Sequence, residues 1–308
     1  MSSWLPYMHT LLDEATRDSV TCTMLLMLAV FVVVFVASHC NDNYSWVDRT
    51  WSIVPVVYAW IQWYYSYTAA AGAPLWSTAF LFCVILTVWG VRLTFNFWRR
   101  GGYARGGEDY RWLFVRTWPL LSTCPLLWTL FNFFVISLFQ TWLLWAITLP
   151  VSRLPVTGVT FRDALYAAAA LVLICFETLF DNAQWRYQCA KRAPGKKDKE
   201  LTYGFCVTGL FGYSRHLNVF CEGALWIVLS LAAYSQPDSS FPPYMWLGCV
   251  VLELLTLFST GIITEHLTKQ KYPRYAIYQR TTPMLIPSLS SSTARTILLM
   301  DLLEGEQE

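Results

Sequence analysis

Residues 20–38 read VTCTMLLMLAVFVVVFVAS, nineteen positions without a charge or a proline. A helix needs about 20 apolar residues to cross the ~30 Å hydrocarbon core of a bilayer, where every backbone polar group must be paired inside its own segment. The run therefore predicts a membrane-spanning helix over Val20–Ser38. Upstream of it, Asp13, Glu14 and Asp18 outnumber the single Arg17. A cleaved signal peptide carries positive charge there, so this span is expected to be retained behind an N-terminal segment of residues 1–19.

Working outward, the charge-free stretch Thr50–Val91 holds two further segments, Ser52–Thr68 and Leu75–Phe95, divided at the turn-like Ala69-Ala70-Ala71-Gly72-Ala73-Pro74. Others follow in Thr117–Pro150, Ala164–Ala183, Leu217–Tyr234 and Tyr244–Thr264. The chain is 56% hydrophobic and 14% charged, far from the roughly 25% charged residues of a soluble domain. The expected fold is an all-α integral membrane protein with about seven transmembrane helices, forming one polytopic domain over 20–287. The net charge of +2 lacks the strongly basic face of a nucleic-acid binder.

The uncharged stretch Thr117–Pro150 is too long for one crossing and short for two, and Pro119 and Pro125 break its start. Cytoplasmic loops collect Lys and Arg. With one crossing here, the basic residues between Arg99 and Arg116 share a side with those of Arg186–Lys199, Arg215 and Lys269–Arg280, leaving Arg17, Arg153 and Arg162 opposite. Two crossings would split them. One crossing, led in by an interfacial Trp118–Pro125, places the N-terminus outside or lumenal and the C-terminus in the cytosol. Residues 288–308, with the serines of Ser288–Ser292, read as a cytosolic tail in which Thr296–Leu303 forms a short surface helix or stays disordered.

Nine cysteines, an odd number with no C-x-x-C pair, mostly sit in apolar runs and read as small core hydrophobes, with no zinc or other metal site. Ionisable groups inside spans are costly and mark function. Glu177, Asp181 and Gln184 share one helical face, as do Asn218, Glu222 and Trp226, and both stripes open onto loops rich in Arg, Tyr and His. Glu253, alone near the middle of the last span, reads as a carboxyl paired with a neighbouring helix. A buried carboxylate, several Arg and an aromatic rim suit an anionic, phosphate-bearing cofactor whose ring enters the bundle. No G-x-G-x-x-G is present to do that work in a Rossmann domain.

Two cytosolic stretches stand out beside these. The glycine- and arginine-rich Asn96–Trp112 can fold over a ligand or serve as an interfacial anchor. The run Lys191–Lys199 reads as solvated charge meeting anionic membrane lipids.

Gly209–Glu222, with Tyr213-Ser214-Arg215-His216-Leu217-Asn218-Val219-Phe220-Cys221-Glu222, resembles the Y-S-R-H-P-N-Y-F-G-E signature of the steroid 5-alpha-reductase-like membrane proteins, in their DUF1295 branch. Asp48-Arg49-Thr50-Trp51, Glu108-Asp109-Tyr110-Arg111, Glu177…Asp181…Gln184 and Tyr275…Tyr278…Thr281-Thr282-Pro283…Ile286-Pro287 agree in order and spacing. Leu217, Val219 and Cys221 stand where the family has Pro, Tyr and Gly.

The resemblance implies an NADPH-dependent reductase of a C=C bond in a lipid-soluble, sterol-like substrate, placed in the endoplasmic reticulum or a related endomembrane. NADPH would bind in the C-terminal half, about 164–287. Asn218 and Glu222 would hold the nicotinamide end, while Arg215, Arg186 and Arg280 meet the phosphates. Tyr213, Tyr275 and Tyr278 would surround ribose or adenine, with Asp181, Gln184 and His216 in the same pocket. Tyr110, Glu108 and Glu177 are the candidates for the acid that polarises the substrate carbonyl. Two rival readings remain: an S-adenosylmethionine-dependent membrane methyltransferase of the isoprenylcysteine or phospholipid type, and a non-catalytic lipid-binding relative.

Overall fold

The computed structural model describes residues 5–195, 199–237 and 240–305. Among them no strand forms, and the chain runs as helices. These are α1 (Leu5–Ala15), α2 (Ser19–Asn41), α3 (Trp46–Thr50), α4 (Val54–Ala69), α5 (Thr78–Arg99), α6 (Tyr110–Val115) and α7 (Pro119–Thr123). There follow α8 (Pro125–Arg153), α9 (Phe161–Arg192), α10 (Lys199–Tyr203), α11 (Leu217–Tyr234), α12 (Pro243–Lys271), α13 (Tyr275–Thr281) and α14 (Thr293–Gly305).

Six of these, α2, α5, α8, α9, α11 and α12, are long and apolar enough to cross a membrane. The chain is an integral membrane protein of helical type. The expected second span is the exception. A turn at Trp51–Ile53 and Pro55 at the second helical position delay the start of α4, which has 16 residues. At 1.5 Å per residue it measures about 24 Å, short of the hydrocarbon core. The ambiguous stretch 117–150 is settled as one long helix, α8, preceded by the separate turn of α7.

The chain divides into two compact units, Met1–Ala170 with Trp226–Leu252, and Leu171–Leu225 with Glu253–Glu308. In the first, small residues let backbones approach, as packing in lipid requires. A side chain on Gly90 of α5 would collide with the carbonyl of Ser52, and one on Gly248 of α12 with the backbone of α8 at Ala146. Trp89 and Trp226, both fully buried, meet edge to face at 5.1 Å. Asp163, in the first turn of α9, accepts hydrogen bonds from Thr78 Oγ1 at 2.9 Å and Gln236 Nε2 at 2.9 Å, tying α5 and the end of α11 to one carboxylate.

The second unit is built on Phe180, Tyr203, Phe205, Val207, Phe211, Leu217, Tyr275, Tyr278 and Met300. Residues 296–303, expected as a surface helix or as disorder, fall within α14, whose Thr296 and Met300 are fully buried in this unit. The Tyr203 hydroxyl donates to Asp301 at 3.1 Å, and Thr293 Oγ1 donates to the Val207 carbonyl at 2.9 Å. All nine cysteines are free thiols; Cys83, Cys221 and Cys249 are buried, whereas Cys40, Cys175 and Cys189 are exposed.

Candidate functional site

The motif block 213–222 bridges the end of a 3-10 turn and the start of α11, and its polar side chains divide between two carboxylates of the second unit. The first is Glu265, which lies four-hundredths exposed just past the apolar run of α12. Arg215 donates to it through Nε and Nη2, each at 2.7 Å, in the two-pronged geometry that suits guanidinium and carboxylate. Tyr275 donates to Glu265 Oε1 at 2.9 Å and Gln279 Nε2 to Oε2 at 2.8 Å, while His216 Nε2 lies 2.9 Å from Oε1. Arg215 Nη1 goes to the carbonyls of Gln279 and Thr282. Tyr278 is buried as well and donates to the Phe211 carbonyl at 2.6 Å. Burial holds both phenols above their ordinary range, and the Glu265 charge pushes Tyr275 further in the same direction.

This arrangement differs from the expectation that Arg215 meets phosphates while Tyr275 and Tyr278 surround ribose or adenine. All three are spent inside the protein. Glu265 is the residue that reading the sequence missed, because it follows the apolar run and looks like an ordinary charge at a span end. Its partner Arg215 stands fifty positions away.

The second carboxylate group follows the expected stripes. Glu177 and Asp181 of α9 are buried, at 1% and 8% exposure, and Asn218 Nδ2 of α11 donates to Asp181 Oδ1 at 3.2 Å. Glu222 stands one turn further along α11 and is half-buried, as is Gln184 on α9. Glu253 joins them from α12: its carboxyl occupies the space that Gly223 leaves free, within electrostatic reach of Glu222. A side chain at 223 would fall on that carboxyl, which gives the glycine a steric reason. Arg186 and Arg280 are exposed, and Tyr213 is 37% exposed.

Glu108 and Tyr110 belong to the first unit. The glycine-rich loop is folded onto the Asp48–Trp51 block rather than left open. Arg49 donates to the carbonyls of Gly102 and Gly107, each at 3.2 Å, Tyr103 donates to the Arg49 carbonyl, and Trp112 Nε1 donates to Asp48 at 2.9 Å. Gly101 and Gly106, with φ of 86° and 82°, make the left-handed turns this path needs. Glu108 accepts the Tyr44 amide at 2.8 Å, and burial raises its carboxyl above the usual range. Asp109 is half-buried, but its pairing with Arg111 at 2.8 Å outweighs the desolvation and holds it low. Tyr110, first residue of α6, is half exposed. Lys191 closes α9 by donating to the Gly204 carbonyl at 2.7 Å and the Tyr272 hydroxyl at 2.6 Å. Residues 196–198 of the basic run lie outside the described residues.

Two comparisons with known proteins find relatives. The family model for a protein of unknown function, DUF1295, matches residues 34–282. An uncharacterised protein of Schizosaccharomyces pombe is 31% identical over 287 residues, covering 87% of this chain and 80% of the relative. No solved structure matches the chain.

Proposed function

We propose, for a chain that belongs to the DUF1295 family, that it is an NADPH-dependent membrane reductase of a C=C bond in a steroid-like or other lipid enone. The observation carrying this reading is the Asn218–Asp181 bond, which joins the polar stripes of α9 and α11 into one cluster with Glu177, Gln184 and Glu222. A cofactor carboxamide needs both donors and acceptors, and Asn218, Asp181 and Glu222 offer both; to that extent the residues fit NADPH. The phosphates fall to the exposed cations Arg186 and Arg280, since Arg215 is held by Glu265.

Bound there, the cofactor would supply a hydride to the β-carbon of the enone while a proton reaches the α-carbon, and the protein supplies orientation and electrostatics. Glu177 is the polarising acid we favour among the three candidates, because it is buried in the unit that holds the cluster, whereas Glu108 and Tyr110 lie in the other unit. In its protonated form its carboxyl can donate to a substrate carbonyl. Lipid around the spans admits an apolar substrate sideways and keeps water from the reaction. The reading places the protein in the endoplasmic reticulum or a related endomembrane, with the cluster at the cytosolic face.

One observation favours the non-catalytic alternative. Arg215, His216 and Tyr275 all converge on Glu265, so this part of the motif holds the fold whether or not turnover occurs. Calorimetric titration of the purified protein with NADPH, NADH and S-adenosylmethionine separates the readings. The reductase binds NADPH most tightly, through its extra phosphate. Binding of S-adenosylmethionine alone makes the chain a methyltransferase, and binding of none of the three supports the scaffold.

A further inference from the structure

The C-terminal helix presents a face that water would not favour. Leu298, Leu299, Leu302 and Leu303 of α14 are 59%, 36%, 57% and 44% exposed, and the approach to it leaves Ile286 72% and Leu289 fully exposed. The opposite face is fastened down. Thr296 and Met300 are buried, and Asp301 accepts the Tyr203 hydroxyl, so it points its charge into the protein. The leucines are therefore the outward side of a docked helix, not a fraying end.

The level of this face follows from what the preceding segment touches. Arg215 N donates to the Pro283 carbonyl and His216 N to the Met284 carbonyl, each at 3.0 Å; Ser288 N donates to Tyr213 at 2.9 Å and Ser292 N to Gly212 at 2.8 Å. Residues 283–292 thus run beside 212–216, immediately before the apolar helix α11 begins at Leu217. Met284 also faces Gly261 of α12, two residues before the apolar run of that span ends at Ile263. Two candidate spans end at the level where the segment lies. The exposed side of α12, with Leu254, Leu257, Phe258 and Ile262, faces lipid in a chain of this class, and Ile286 and Leu289 extend the apolar surface from the Met284 contact. At thirteen residues, about 20 Å, α14 is too short to cross the core.

We infer that α14 and its approach lie in the membrane interface, with Ile286, Leu289, Leu298, Leu302 and Leu303 among the acyl chains, so that the bilayer is the partner of this face. A helix lying in the interface buries its apolar side roughly 5–10 Å into the headgroup and acyl boundary. The exposed Arg295 can reach phosphate groups from this position. Helix α14 is then a monotopic membrane element of the second unit.

A photo-crosslinking amino acid at Leu302 of the full-length protein, reconstituted in phosphatidylcholine vesicles, tests this. The same probe at Leu254 of α12 is the reference for a lipid-facing position. Mass spectrometry is expected to find lipid adducts at Leu302 in a yield of the same order as at Leu254. If thermal unfolding shows the Leu302 variant to be misfolded, the probe moves to Leu289, whose side chain is fully exposed. Adducts at Leu254 with none at the C-terminal position would overturn the inference, as would crosslinks there to a second copy of the chain.

Discussion

Glu265 and Glu222 both belong with the ten-residue block 213–222, the first as the partner of its Arg215 and His216 and the second as its last residue. Glu265 receives Arg215 on both oxygens and takes Tyr275, Gln279 and His216 besides. Glu222 is half-buried, one turn from an Asn218 that is bound to Asp181, with Glu253 as a like-charged neighbour. A carboxylate with that many donors has nothing left to offer a ligand. Arg215 and His216 of the motif are committed to Glu265, whereas Asn218 and Glu222 are the part that our proposal assigns to the cofactor.

The largest effect that would sharpen this contrast comes from Glu265→Ala. Removing one partner of a buried ion pair costs about 3–5 kcal/mol, because Arg215 is left uncompensated. Thermal unfolding in detergent should show the loss with or without cofactor. An unchanged melting temperature would break the comparison at its structural end.

A smaller effect comes from pH. The Tyr275 and Tyr278 phenols are raised in the folded protein by burial, and an unfolded tyrosine ionises near pH 10. The folded state then holds protons that the unfolded state gives up. The stabilisation is fully present below about pH 10 and is lost as pH rises through the folded values. Tyr278→Phe should cost about 1 kcal/mol for the bond to Phe211 and flatten the alkaline decline, which denaturant titrations between neutral pH and pH 11 would measure. An alkaline decline as steep as that of the unsubstituted protein would remove Tyr278 from this account.

What could be read from sequence was local. Hydropathy located all six spanning helices and counted Ser52–Thr68 as a seventh, and the four-residue spacing of Glu177 with Asp181 and of Asn218 with Glu222 placed each pair on one face, because both depend only on helical geometry. What escaped was set by partners far along the chain. Glu265 meets an arginine fifty positions away, and the glycine-rich loop owes its shape to Arg49, more than fifty positions before it. The shortening of α4 turns on the Trp51–Ile53 turn and Pro55, small features inside a long apolar run. The docking of α14 rests on Thr296 and Met300, which do not stand out among its leucines.

The central claim, that Glu222 recognises cofactor while Glu265 holds the fold, is tested most directly by thermal unfolding of Glu222→Gln beside the unsubstituted protein, each with and without NADPH. The substitution keeps the side-chain volume and removes the charge. If Glu222 recognises the cofactor, the stabilisation by NADPH largely disappears in the variant, whatever its melting temperature without NADPH, corresponding to a loss of about 1–3 kcal/mol in binding. A variant that melts earlier without cofactor and is stabilised by NADPH as strongly as the parent would contradict it, and would place Glu222 with Glu265 among the residues that hold the helices together.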